Sequence, residues 1–199
     1  LHYVLDEWFD ENYGEHGEMI RYADDAVFVF NDNERAIRFH QTLNERLVKE
    51  GKLNLNADKS GILKFDCKDP QWILNFVGFS LYWGHHSAMR KSGERLLKVK
   101  TAPKKLAKAI EAFGEWIKTT RHKMRLDDLW DLAAAKLRGH YQYYGVSFNR
   151  PKLNHYYYAA IKALFKWLNR RSQKISFTWE RFYKRLLYKP LPKPTAGPA

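Results

Sequence analysis

The sequence reads MIRYADDAVFVF from Met19 to Phe30, and this stretch decides the fold of the first part of the chain. Two apolar runs, 19–20 and 26–30, flank a short break that carries the adjacent aspartates Asp24 and Asp25. Apolar runs rich in β-branched and aromatic residues, separated by such a break, predict a β-hairpin. We therefore expect a strand, a turn with two carboxylates, and a second strand.

Two neighbouring carboxylates in a turn have two interpretations. Asp tolerates turn conformations and hydrogen-bonds its own backbone, so the pair is compatible with an ordinary solvated turn. Adjacent carboxylates also repel each other, and a hard divalent cation such as Mg²⁺, which takes oxygen ligands, relieves that repulsion. Asp24 and Asp25 are therefore candidate ligands of Mg²⁺ in a site that acts on phosphates.

The residues after the hairpin predict a helix and then short strands. Residues 31–33 offer N-caps, apolar residues repeat at helical spacing, and Gly51 ends the helix. The residue composition of segments 53–56, 61–65 and 72–82 predicts short strands or extended chain. Before the hairpin, residues 1–9 predict the end of a helix, and residues 11–18 predict a polar loop. The first part of the chain is thus α+β.

The second part predicts a basic extended segment at 96–100 and then a small helical bundle. Pro103 opens a helix with one apolar stripe, and Asp127 and Asp128 begin a second helix. A third helix is predicted from about Leu153 to Leu168, after a connector at 149–151, and Thr178 opens a shorter fourth. The proline-rich tail 189–199 predicts extended or disordered chain.

The charged residues are distributed unevenly along the chain. Residues 1–89 carry a net charge of −6, whereas residues 90–199 carry +19 and interleave their cations with aromatic residues. Cations release counterions from phosphates and aromatic rings stack on unpaired bases, so this texture favours a nucleic-acid partner. An alternative explains the number of aromatic residues equally well: their side chains fill the core of a helical bundle, and the basic residues form its solvated surface. That alternative does not explain an excess of 19 charges, because self-repulsion destabilises a compact domain.

Cysteine, histidine and hydropathy exclude several classes of protein. The single cysteine, Cys67, excludes an intramolecular disulfide, and the pair His85-His86 lacks further ligands at the spacing of a zinc site. No apolar run approaches the roughly 20 residues that span a bilayer, and the first residues lack the pattern of a signal peptide. We expect a cytoplasmic, bacterial protein without a membrane partner.

The Tyr22-Ala23-Asp24-Asp25 hairpin resembles the active-site hairpin of reverse transcriptases, most closely those encoded by group II introns, which are also called maturases. The resemblance implies that residues 1–89 are the C-terminal part of the polymerase palm, a hairpin and short antiparallel sheet with a packed helix. It also implies that residues 90–188 form an all-α maturase thumb. This part of the resemblance rests on three motifs: Leu137-Arg138-Gly139, 168–171 and 177–179.

The resemblance also implies roles for individual residues. Asp24 and Asp25 would be catalytic Mg²⁺ ligands in a two-metal site, Tyr22 would contact the primer terminus, and Lys59 would approach the phosphates of a deoxynucleoside triphosphate. Gly78, in 76–79, would support the primer end. For RNA binding, the resemblance and the basic texture of the second part nominate six thumb residues: Lys104, Lys105, Arg138, Tyr143, Arg170 and Arg171.

The expected function is that of a fragment of an RNA-directed DNA polymerase. Its expected partners are an RNA template with its DNA primer and structured intron RNA. By binding the intron RNA, the protein would assist splicing and retromobility. The family's third metal-binding carboxylate lies on an earlier strand, before a helix like that at 1–9, so we expect no polymerisation by this chain alone. Two alternatives stay open: an RNA-binding module without catalysis, and a decayed remnant of a mobile element.

Overall fold

The structure, a computed structural model, describes residues 2–56, 60–85, 95–171 and 178–195. Over these residues the chain is α+β, with two small antiparallel sheets and six α-helices. It divides into two compact units, Leu1–Val77 and Gly78–Ala199. The division predicted between residues 89 and 90 falls outside the described residues.

The first unit combines helices with the predicted hairpin. A short π-helix, His2–Asp6, continues into α1, Glu7–Tyr13. Strands β1 (Gly17–Tyr22) and β2 (Asp25–Phe30) pair in antiparallel register, and α2 (Asn33–Lys49) follows them. The alternation of apolar residues thus gives a hairpin whose inner face is free to pack against the helices.

Aromatic side chains form most of the core of this unit. Phe39 of α2 lies with its ring centroid 5.5 Å from Phe9 of α1 and 4.6 Å from Phe28 of β2. Phe9 and Phe39 are almost fully buried, and burial of one such side chain contributes about 1.5–3 kcal/mol. Asp32 caps α2 as predicted, because its carboxylate accepts a hydrogen bond from the backbone N–H of Glu34 at 3.0 Å.

One prediction for the first unit is wrong, and another is reduced to one of its two alternatives. The polar loop expected at 11–18 begins only after Tyr13, because the ring of Tyr13 packs against Trp8 and Phe39 and extends α1. The segments 53–56 and 61–65, predicted as short strands or extended chain, contain no strand within their described residues, so only the second alternative remains. A short apolar run becomes a strand only where a neighbouring strand pairs with it, and sequence texture does not supply that partner.

The second unit combines strands with a helical bundle. Its strands β4 (Phe79–His85) and β5 (Arg95–Thr101) pair in antiparallel register. Strand β3 (Leu74–Phe76), which precedes β4 in the order of the sheet, belongs to the last residues of the first unit. The basic segment predicted at 96–100 is therefore a strand, and the expectation that residues 90–188 are all-α is wrong at β5. The bundle helices are α3 (Pro103–Thr120), α4 (Leu126–Tyr144), α5 (Arg150–Leu168) and α6 (Trp179–Tyr188).

The bundle core follows the predicted helical periodicity. Ile117 of α3, Leu137 of α4, Leu164 of α5 and Phe182 of α6 are completely buried in one cluster. The prediction was wrong at the start of α5, which begins at Arg150 and includes Arg150 and Pro151 of the three residues assigned to a connector. Proline is compatible with the first turn of a helix, where its missing N–H has no intrahelical partner.

The described part of the tail packs against the bundle. Leu191 is buried, and the indole N–H of Trp130 donates to the backbone carbonyl of Lys189 at 2.8 Å. The Lys189 ammonium lies 2.6 Å from a carboxylate oxygen of Asp131. Residues 189–195 thus form an extended strap that covers part of α4.

Candidate metal centre and nucleic-acid interface

The two aspartates lie at the tip of the hairpin. In the register of β1 and β2, Tyr22 is directly opposite Asp25, so Ala23 and Asp24 form a two-residue turn. Asp24 and Asp25 are both exposed, and Tyr22 is 62% exposed. The tip therefore presents two carboxylates and a phenol ring to solvent.

The backbone of this turn is strained at Ala23. Its φ is +52°, which places a residue with a Cβ in the left-handed region that favours glycine. Two-residue hairpin turns with a positive φ at the first central position normally carry glycine there. Strain of this kind persists only where surrounding contacts hold the conformation, and it is concentrated at functional sites.

The contacts that hold the turn come from Arg21 and Asp6. The Arg21 guanidinium donates from Nε to one carboxylate oxygen of Asp6 at 2.8 Å and from a terminal nitrogen to the other at 2.5 Å. Its remaining terminal nitrogen donates to the carbonyl of Ala23 at 2.9 Å. One arginine thus ties the turn to the N-terminal helical segment, and we call these three residues the Asp6–Arg21 brace.

The brace also sets the electrostatics beside the aspartates. The hydrogen bond from Arg21 is the main cause that holds the pKa of the Asp6 carboxyl below its usual range. The Arg21 charge also acts on Asp24, though more weakly than on Asp6. Because Asp6 engages the guanidinium through two oxygens, Asp24 and Asp25 keep their own oxygens available for other partners.

Asp24 and Asp25 fit a Mg²⁺ site in the chemistry of their donors. Mg²⁺ takes hard oxygen ligands and is held in phosphoryl-transfer sites by one or two carboxylates together with substrate phosphates. Within the described residues, no three His, Cys, Asp or Glu side chains converge as a metal-binding group. The hairpin thus offers two candidate carboxylate ligands. Lys59, predicted to approach the nucleotide phosphates, lies outside the described residues.

Gly78 occupies a tight turn between β3 and β4. Val77 and Gly78 have φ values of +46° and +82°, and positive φ at both central residues is typical of a type I′ hairpin turn. The Gly78 carbonyl accepts from the backbone N–H of Ala102 at 3.0 Å. A Cβ at Gly78 would lie 3.2 Å from the Tyr144 hydroxyl oxygen, so the backbone approaches α4 closely there.

The six predicted RNA-binding residues differ in their environment. Lys104, Lys105 and Arg138 are exposed on α3 and α4. Tyr143 is half-exposed, and its ring stacks on Phe79 with centroids 5.9 Å apart. Arg171 donates to the backbone carbonyl of Met124 at 2.6 Å, so its guanidinium is engaged in the fold.

The remaining predicted cation, Arg170, belongs to a concentration of charge that the sequence did not reveal. Four cationic groups lie over the ring of Trp167, at 5.8 Å for Lys118, 5.0 Å for Arg121, 5.1 Å for Lys166 and 5.4 Å for Arg170. We call these five residues the Trp167 cluster. Only Lys118 has an acidic partner among the described contacts, Glu115 at 3.1 Å.

The Trp167 cluster forms where two helices end. Lys118 lies in the last turn of α3 and Lys166 in the last turn of α5, where the helix dipole favours positive charge. Arg170 lies in the predicted motif 168–171 and Lys166 lies four positions before it, whereas Lys118 and Arg121 come from the end of α3. No linear pattern brings these two pairs together, so only the tertiary structure finds them.

No protein-family model matches this chain, and no curated protein matches it. Among the helices of the described residues, each is too short or too polar to cross a membrane.

Proposed function

We propose that this chain forms part of an RNA-directed DNA polymerase of the group II intron type, with a basic helical unit that binds RNA. The observation that carries the proposal is the exposed Asp24–Asp25 pair at the tip of a braced, strained hairpin. An ordinary two-residue turn carries glycine at a position of positive φ and needs no arginine on its carbonyl. An alanine held in that conformation by Arg21 is the kind of strain that persists at a site whose two carboxylates must keep one geometry.

The proposed roles are those that the resemblance assigns to the residues. Asp24 and Asp25 hold Mg²⁺, and Tyr22, exposed beside Asp25, contacts the primer terminus. Bound Mg²⁺ would supply Lewis acidity toward the phosphates of a deoxynucleoside triphosphate. Arg21 acts through the Ala23 carbonyl and keeps the turn in place. Lys59 approaches the nucleotide phosphates, and the tight turn at Gly78 supports the primer end.

The helical unit binds the template-primer duplex and structured intron RNA in this proposal. The exposed cations of α3 and α4 and the Trp167 cluster supply the charge that attracts phosphates. Four cations around one ring repel each other, and a polyanion relieves that repulsion. Splicing assistance then depends on this unit and requires no chemistry at the hairpin.

The test is primer extension on an RNA template by the complete encoded protein, with Asp24→Asn and Asp25→Asn as the variants. We expect each variant to reduce Mg²⁺-dependent extension by more than about a hundredfold, because metal ligands stabilise charge at the reacting phosphates. RNA affinity should be unchanged. Asp10→Asn, a substitution at an exposed position of α1, is the matched control and should retain activity.

The second candidate function is RNA binding without catalysis, which the Trp167 cluster favours. It predicts RNA binding that is independent of Asp24 and Asp25, in a complete protein that shows no Mg²⁺-dependent extension. That pair of results would overturn the polymerase proposal. Extension that is lost in Asp24→Asn while RNA affinity is retained would overturn the second candidate.

A further inference from the structure

An exposed apolar stripe runs along α6. Trp179, Tyr183 and Leu187 follow one another at intervals of four residues, so they lie on one side of the helix. Their exposed fractions are 54%, 61% and 65%, whereas Phe182, on the adjoining side, is completely buried in the bundle core. The helix therefore carries more apolar surface than the bundle covers, and a contiguous apolar surface of this kind marks an interaction site.

Trp179 is held so that one face of its indole ring is open. The ring stacks on Phe165 of α5, with centroids 3.6 Å apart and planes 14° apart, and it meets Phe182 edge to face at 5.8 Å. Because Phe165 covers one face while more than half of Trp179 is exposed, the accessible surface is chiefly the opposite face of the indole. The contacts with α5 fix the plane of that face.

Tyr183 offers a second exposed ring one helical turn later. Side chains four positions apart on a helix have Cβ atoms about 5–6 Å apart, so neighbouring groups of one ligand can reach both rings. Aromatic rings of this kind stack on unpaired bases with little preference for sequence, because every base has a flat face. We call Trp179 and Tyr183 the aromatic platform.

Cations of α5 lie next to the aromatic platform. Lys162 and Lys166 are exposed, three positions before and one position after the Phe165 ring on which Trp179 stacks. Lys166 is also a member of the Trp167 cluster. The platform therefore adjoins a surface that is already proposed to bind phosphates.

The charge around the platform favours RNA over an apolar protein partner. Glu180, the one acidic residue in the sequence of α6, is paired with Lys184 at 2.8 Å, so its charge is balanced within the helix. Residues 90–199 together carry an excess of 19 positive charges. An unpaired RNA segment supplies negative charge and flat rings in one molecule, and both match this surface.

We infer that the aromatic platform stacks unpaired bases of an RNA strand whose phosphates lie at Lys162 and Lys166. The inference rests on the proposed RNA-binding role and names the kind of RNA that this surface takes, a single-stranded loop or bulge. Paired bases keep their faces inside the helical stack, so a duplex can use the cations but not the rings. The helical unit would then distinguish an unpaired segment from helical RNA.

The test compares three RNA ligands of equal length in titrations of the 199-residue chain: a single strand, a duplex, and a single strand with abasic positions at its centre. Trp179→Leu keeps an apolar contact with Phe165 but removes the stacking surface, and Trp179→Phe restores an aromatic face. We expect Trp179→Leu to weaken single-strand binding about tenfold and Trp179→Phe to retain most of the affinity. Duplex affinity should stay unchanged in both variants.

The abasic strand gives a measurement that partial unfolding does not imitate. The unmodified chain should bind it about tenfold more weakly than the complete strand, whereas Trp179→Leu should bind the two strands equally. Stacking releases no counterions, so the slope of log affinity against log salt should be the same in Trp179→Leu and in the unmodified chain. A loss of folding would instead lower the affinity for all three RNA ligands.

Tyr183→Leu tests the second ring of the platform. Its matched control is Tyr188→Leu, which removes an 89% exposed tyrosine from a different side of α6. We expect Tyr183→Leu to weaken single-strand binding about fivefold and Tyr188→Leu to leave it unchanged. Thermal unfolding of each variant establishes that it folds.

The outcomes separate the inference from the proposal beneath it. Single-strand affinities that are the same in Trp179→Leu, Tyr183→Leu and Tyr188→Leu, in a chain that binds RNA, would overturn the platform and leave the RNA-binding role standing. Sedimentation that shows a dimer of the unmodified chain without RNA, and a monomer in Tyr183→Leu, would make the stripe a contact between copies and also overturn the inference. A chain that binds none of the RNA ligands would overturn the inference and the RNA-binding role together.

Discussion

Arg21 is the residue on which the candidate metal centre depends most, although it does not belong to the carboxylate pair. Its guanidinium has two available anions, because it binds Asp6 and also interacts with Asp24. An arginine that paired with Asp24 would occupy the oxygens that a metal needs. We therefore interpret Asp6 as the residue that holds the guanidinium away from the metal ligands.

Asp6→Asn should weaken metal binding at the hairpin even though Asp6 is not a ligand. The freed guanidinium would turn to Asp24, and we expect the affinity for Mn²⁺, a probe for the Mg²⁺ site, to fall about tenfold. The double variant Asp6→Asn/Arg21→Gln should recover most of the affinity, because the competing cation is gone. Paramagnetic line broadening in the 199-residue chain measures both.

Glu11→Gln, which removes an exposed carboxylate of α1, is the control for the loss of one negative charge. Equal Mn²⁺ affinity in Asp6→Asn and Glu11→Gln would show that Arg21 does not compete for the ligands. Absence of Mn²⁺ binding in the unmodified chain would instead count against the hairpin as a metal site.

Asn149 links three elements of the second unit. Its side-chain oxygen accepts from the backbone N–H of Thr101 at 2.8 Å, and its amide nitrogen donates to the Thr101 hydroxyl at 2.8 Å and to the Tyr144 carbonyl at 2.7 Å. Asn149 and Thr101 are completely buried. The end of β5, the end of α4 and the start of α5 are thus joined by one amide.

Asn149→Ala should lower the free energy of unfolding by about 2–4 kcal/mol, because it removes the partner of the buried backbone N–H and hydroxyl of Thr101. Asn149→Asp should also destabilise the fold, since a carboxylate cannot donate to the Tyr144 carbonyl. Gln142→Ala, at an exposed position of α4, is the control. Urea denaturation measures all three, and a change below about 0.5 kcal/mol in Asn149→Ala would contradict the linking role.

His140 makes the stability of the helical bundle depend on pH. Its pKa is about 4 in the folded chain and 6.5 in the unfolded chain, so the unfolded state binds the proton more readily. The stabilisation is present above pH 6.5 and is lost as the pH falls toward 4. The neighbouring Tyr144 and Tyr156 do not titrate in this window, because the pKa of a phenol lies far above it and burial raises the pKa of both still further.

The urea midpoint should therefore fall more steeply between pH 6.5 and 4 in the unmodified chain than in His140→Gln. His155→Gln, which removes an exposed histidine of α5, should retain the steep dependence. Parallel pH profiles for the unmodified chain and His140→Gln would show that the imidazole is not buried in solution.

Local sequence signals predict the elements best where periodicity and caps agree. The hairpin, α2, α3, α4 and α6 follow from apolar alternation or helical spacing next to a turn or capping residue. The segments 53–56 and 61–65 have strand-like texture but gain no strand within the described residues, because pairing is a property of the tertiary fold. The burial of Leu191 is likewise invisible in a proline-rich tail.

The same limit applies to the candidate site. Asp24, Asp25 and Tyr22 are adjacent in sequence and are found by pattern, whereas Asp6 lies 15 positions before Arg21. Lys118 and Arg121 join Lys166 and Arg170 only because α3 and α5 pack together. Residues that act from a distant part of the chain carry no linear signal.

At the scale of the whole molecule, charge segregation predicts how RNA binding responds to salt. The excess of positive charge lies in residues 90–199, so phosphate contacts there should release counterions and make affinity fall steeply with salt. Lys166→Gln and Arg170→Gln each remove one exposed cation of the Trp167 cluster. Each should reduce the slope of log affinity against log salt by about 1.

Duplex RNA titrations of the 199-residue chain between about 50 and 200 mM salt measure this slope. The control is Arg38→Gln, because Arg38 is exposed in the acidic part of the chain and lies 3.0 Å from Glu34. That variant should leave the slope unchanged, since a cation paired with a carboxylate in a negatively charged region contacts no phosphate and therefore releases no counterion. A slope that falls equally in Arg38→Gln and Arg170→Gln would mean that the loss of any cation produces the effect, and that the Trp167 cluster makes no direct phosphate contact.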